Sequence, residues 1–129
     1  MKPVIVGTYE FGYEKCQLVL RESDGGEFWV LPGDIDCPRI KIGAEQKVWG
    51  DLVAVLCHEA MELSFERVGL RYSPSQELVR DHAAYLFVAT HTQFAEAIDR
   101  AADFLARCLP DLSKAWKKWK QKKGSKKGH

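Results

Sequence analysis

The chain has no acidic residue after Asp111, no C-x-x-C pair, no internal repeat and no long apolar run. Each absence narrows its function. Without a stretch near the ~18 apolar residues of a membrane span, a bilayer-crossing segment is not expected. The N-terminal MKPVIVGTYEFGYEKC carries no long apolar segment after its lysine, so a secretory signal is not expected and the expected compartment is the cytoplasm. Cys16, Cys37, Cys57 and Cys108 are too widely spaced for a zinc knuckle or a redox motif, which leaves free thiols. Low complexity is confined to the terminal lysine-glycine tail.

What is present is an ordinary globular composition, 129 residues with 46% hydrophobic and 29% charged. That is enough chain for one domain with a real core. The net charge of +1 conceals an asymmetry: residues 1–113 hold all 18 acidic residues and carry −7, whereas the eight lysines from Lys114 onward give the tail +8. The expected organisation is a single domain over 1–113 followed by a basic helix or tail over 114–129. Trp116 and Trp119 in that tail invite two readings. Stacked on bases, they would make it a nucleic-acid arm. Spaced i, i+4, i+7 with Leu112, they would dock a last helix on the core and leave a solvated end. The helical spacing favours docking, and no base-reading motif is visible.

Taken in order, PVIVGTYE within residues 2–10 and the alternating residues 15–22 read as strands, the second with Cys16, Leu18 and Leu20 on one face. Gly12 connects them. Ser23-Asp24-Gly25-Gly26 reads as the next hairpin turn, EFWVL (27–31) as a third strand, and the opening third as an antiparallel meander. Asp34 and Asp36 follow in a loop and read as local turn formers rather than a cation site. RIKIG (39–43) is a short strand with a polar side, placed at a sheet edge. The main helix is expected from about Gln46 to Arg67, with Gly69 as its stop. Residues 81–92, around Tyr85-Leu86-Phe87-Val88, favour a strand, with Thr90 and Thr92 as caps for a second helix. That helix carries the stripe Phe94, Ile98, Ala101, Leu105 and Cys108, and Pro110 ends or kinks it. The fold class is then α+β: an antiparallel sheet of four to five strands packed against two main helices, with a short C-terminal helix.

Chemistry concentrates in the main helix, WGDLVAVLCHEAMELSFE, where His58, Glu59 and Glu62 interrupt an apolar run. His58 and Glu62 are one turn apart and point the same way, with Glu59 offset by about 100°. In the helical motif H-E-x-x-H two such ligands hold Zn²⁺ and the intervening glutamate is the general base. Here the motif is HEAME, with Glu62 in place of the second histidine. If the core stripe is Trp49, Leu52, Val53, Leu56, Ala60 and Leu63, His58 and Glu62 lie opposite it on a face that can simply be solvated. Val55, Met61 and Phe65 flank His58, however, which predicts a helix apolar nearly all round with something packed over it. A catalytic zinc also needs a third protein ligand. His91, between the expected strand and the second helix, is the first candidate, followed by His82 and Asp81.

The layout IKIG, LCHEAMELSF, YLFVATHTQF and FLARCLPDL, over about residues 39–112, resembles the minimal zincin-type metallopeptidase core. It is also similar to small proteins encoded by tailed phages and prophages. The resemblance implies zinc on His58 and Glu62, Glu59 as general base toward a peptide carbonyl, and a peptide or protein as the partner. A degenerate zincin that binds a host protein without hydrolysing it is implied by the same residues.

Overall fold

The alternation in KCQLVLR decides how the sheet meets the helices. The computed structural model describes residues 2–69, 71–72, 86–87 and 89–127. β1 (Val4–Phe11) and β2 (Glu14–Arg21) form a hairpin turned at Gly12, whose φ of 69° favours glycine. β3 (Gly26–Trp29) and β4 (Arg39–Gly43) complete a four-stranded sheet in the order β1-β2-β4-β3. Cys16, Leu18 and Leu20 of β2 join Phe11, Ile40 and Ile42 in one buried cluster, as the alternation requires.

The sheet is mixed rather than antiparallel. β2 pairs with β4 in parallel, from Gln17 opposite Arg39 to Arg21 opposite Gly43, and β3 pairs antiparallel with β4. RIKIG is therefore an inner strand and not an edge. The reason lies in its side chains: Ile40 and Ile42 are both fully buried, and an inner position covers them best. Residues 22–25 accordingly do not close a tight hairpin. They wrap the end of β4, where Gly43, Ala44 and Glu45 donate to the carbonyls of Gly25, Arg21 and Ser23 at 2.7, 2.8 and 2.9 Å. A β-carbon on Gly43 would meet the Ser23 carbonyl there, so this approach requires glycine.

Both helices pack on one face of this sheet. α1 (Trp49–Arg67) lies over β3 and β4 and stops at Gly69, whose φ is 76°. It starts later than its sequence predicts because Gln46 is drawn into the loop, donating from Nε2 to the Asp24 carbonyl at 2.6 Å. α2 (His91–Lys127) packs against β1 and α1. Its buried stripe is Ala97, Ala101, Phe104, Cys108, Leu112, Trp116 and Trp119, rotated from the expected one so that Phe94 and Ile98 are partly exposed. Small side chains set this rotation, since Ser64 of α1 donates its hydroxyl to the Ala97 carbonyl in the interface.

Pro110 does not end the helix, and no separate short C-terminal helix forms. The proline lies on the exposed side of α2, and burial of Cys108, Leu112 and Trp116 around it compensates the hydrogen bond it cannot donate. Trp116 is also tied across the fold, its indole N–H donating to the Ala44 carbonyl at 2.9 Å. Leu112, Trp116 and Trp119 thus belong to the core. Of the strand expected over 81–92, Leu86–Phe87 forms β6, antiparallel to β5 (Arg71–Tyr72), and most of the remainder lies outside the described residues. Among the described residues no helix is long and apolar enough to cross a membrane.

Candidate metal centre

The site is built on the middle of α1. Leu52, Leu56, Ala60 and Leu63 recur every three or four residues and are fully buried against the sheet. Glu59 stands three residues after Leu56 and four before Leu63, so the helix carries it onto that same buried stripe, where it retains 6% exposure. His58, one residue earlier, turns outward with 66% of its side chain exposed, and Glu62 lies between at 28%. His58 itself is therefore open to solvent, whereas Val55 and Met61 beside it pack against the core and Phe65 stacks on Phe94 of α2.

His58 Nε2 and Glu62 Oε1 are 3.4 Å apart. One donor atom from each of His58, Glu59 and Glu62 lies within 4.8 Å of the other two. Two ligands on a tetrahedral zinc with bonds near 2.0–2.1 Å stand roughly 3.4 Å apart, so the first pair has the required separation. An imidazole nitrogen with two carboxylate oxygens is a donor set that zinc and related divalent ions accept. All three donors come from a single helix, and His58 faces solvent.

The wall of the site comes from the sheet edge. Gly26 of β3 lies directly against Glu59: a β-carbon built there would stand 2.9 Å from Glu59 Cγ and 2.9 Å from Val55 Cγ1. Gly25, Gly26, Ala54, Val55, His58 and Glu59 line a shallow depression of about 390 Å³ between the edge strand and the helix. Burial pushes the Glu59 carboxyl above the usual carboxylate range, and the nearby Glu62 adds to the rise against the opposing pull of His58.

The other candidates are not grouped with these donors among the described residues. His91 is the exposed first residue of α2 and is not among the grouped donors. Its neighbour Thr90 caps that helix: the Gln93 amide donates to Thr90 Oγ1 at 3.2 Å, and the Thr90 amide donates to Gln93 Oε1 at 3.0 Å. His82 and Asp81 lie outside the described residues. Asp34 is taken up by Arg39, which donates to its two oxygens at 2.9 and 2.7 Å.

The sequence pattern missed two features, the burial of Glu59 and the role of Gly26. The first is visible in the spacing of Glu59 from Leu56 and Leu63. The second has no local signal, because Gly25-Gly26 reads equally well as a turn. Compared with protein-family models, curated proteins and solved structures, the chain matches none.

Proposed function

We propose that this chain is a small metalloprotein that holds one divalent cation, zinc by its donor set, on His58, Glu59 and Glu62, and that it acts on an extended peptide at the neighbouring sheet edge. The observation that carries this reading is the convergence of the three donors within 4.8 Å beside the glycine wall of β3. A bound zinc would supply Lewis acidity and a water acidified toward neutral pH. His58 and Glu62 offer donors from the solvent side, and Glu59 offers one from beneath. Glu59 is largely buried, and because burial raises its pKa a cation binding there competes with a proton.

In this reading Glu59 is the third ligand rather than the general base, because it is Glu59, and not His91, that groups with His58 and Glu62 among the described residues. One variant separates the two roles. Glu59→Gln as a ligand variant loses metal and activity together, whereas as a base variant it keeps metal and loses hydrolysis alone. The test is metal content and cleavage of a fluorogenic peptide pool, measured on the same preparations. Retention of both would defeat the proposal.

A second reading is favoured by the openness of the depression and the exposure of His58, since a hydrolytic site gains most when water is excluded. In that reading the protein binds a host protein through its acidic surface and does no chemistry. It predicts metal-independent partner binding that His58→Ala leaves unchanged.

A further inference from the structure

A second groove is remote from the helix site. It lies between the first residues of β1 and the C-terminal half of α2, has a volume of about 710 Å³, and includes five lysines and no acidic residue in its lining. Lys2 stands at one end, and Lys114, Lys117, Lys118 and Lys122 project along the helix side. Its floor is apolar, with Val4, Ile5, Val6, Ala115 and the edge of Trp119. Ile5 is 65% exposed there.

Two features identify what fits. Five consecutive residues, Lys2 to Val6, line the groove. Lys2 and Pro3 lead into β1, and the strand shifts register between Ile5 and Gly7, so Val4, Ile5 and Val6 line the groove together at an outer strand of the sheet. The free edge of that strand can pair with another strand. The second feature is charge. Among the described residues no ion pair occupies Lys2, Lys114, Lys117, Lys118 or Lys122, whereas Lys123 is paired to Glu45 at 3.0 Å and Lys120 lies over the Trp116 ring at 4.2 Å.

We infer that this groove docks an extended acidic peptide segment of a partner protein, added as a strand to the free edge of β1. Its apolar side chains enter the floor between Ile5 and Ala115, and its carboxylates meet the lysines of α2. A second copy of this chain is a poor occupant, because it would bring the same lysines to the same edge. A nucleic acid lacks the aromatic platform it needs, since Trp116 and Trp119 are each only 6% exposed. A membrane surface would require the apolar face of α2, which the core already uses.

The test is fluorescence anisotropy with a labelled, end-capped peptide alternating Glu and Val, titrated with the full chain. Saturable binding is expected, weakened at least about tenfold in the triple variant Lys114→Glu, Lys118→Glu, Lys122→Glu and in Ile5→Asp. All four positions are exposed, and an unchanged thermal melt establishes that each variant is folded. N-methylation of alternate peptide amides should weaken binding comparably, because it removes pairing without changing charge. Equal binding of the N-methylated peptide would overturn the inference, as would equal competition by oligoglutamate, by a thymidine oligonucleotide or by phosphatidylglycerol vesicles. Any of these would show a lysine patch and no strand site.

Discussion

Glu59 lies directly beneath Gly26: a β-carbon on that glycine would stand 3.2 Å from Glu59 Oε1 and still closer to its Cγ and to Val55. The absence of a side chain on the edge strand is therefore what leaves room for the buried carboxylate. Gly26→Ala should cost about 1–3 kcal/mol in urea unfolding, as overpacking does. It should also weaken divalent-cation affinity by displacing Glu59. Gly25→Ala, which meets nothing within 4 Å, should do neither and serves as the control.

Metal-free protein should gain stability from Glu59→Gln at neutral pH. The folded-state pKa of Glu59 is raised, so its stabilising contribution is complete below the unfolded value of about 4.3 and is lost as pH rises through the folded value. Thermal melts should show the variant above wild type at pH 7, with the difference closing toward pH 4. Added zinc should reverse the order, because it stabilises only the chain that keeps the ligand. A variant less stable at every pH without metal would contradict this account of Glu59.

The lysine-rich C-terminus is anchored by its tryptophans, and truncation should show it. Deleting residues 114–129 removes Trp116 and Trp119 from the core and should abolish cooperative unfolding. Trp116→Ala should cost about 3–5 kcal/mol, and Trp116→Phe, which removes one of the two donors to the Ala44 carbonyl and leaves it the Gln46 amide, about 0.5–1.5 kcal/mol. A truncated chain with a native melt would refute the anchoring.

Thiol reactivity should divide the four cysteines. Burial pushes the Cys108 thiol up to about 12 and raises that of Cys16 further, so both should resist an aromatic disulfide reagent at pH 8 until the chain is unfolded. Cys37 and Cys57, only partly buried, should react in the native protein.

Local patterns in the chain foretell its elements better than their neighbours. The α1 stripe through Leu52, Leu56 and Leu63 and the alternation of Cys16, Leu18 and Leu20 follow from side chains that repeat with the period of their own element. The insertion of β4 between β2 and β3 does not, because pairing depends on how well Ile40 and Ile42 are covered, which is decided across the sheet. Pro110 misleads for a similar reason: tertiary burial of Cys108 and Leu112 holds a helix that local propensity would break. At the site, the i, i+4 relation of His58 and Glu62 was legible. That Glu59 joins them, and that His91 stands apart, depends on distances no spacing encodes.

Metal content of untagged protein purified without chelator, measured by elemental mass spectrometry beside His58→Ala and Glu62→Ala, tests the central claim most directly. Close to one zinc or related divalent ion per chain is expected, lost in either variant while the fold persists. A metal-free wild-type protein that also fails to take up added zinc, with both variants equally stable, would contradict it.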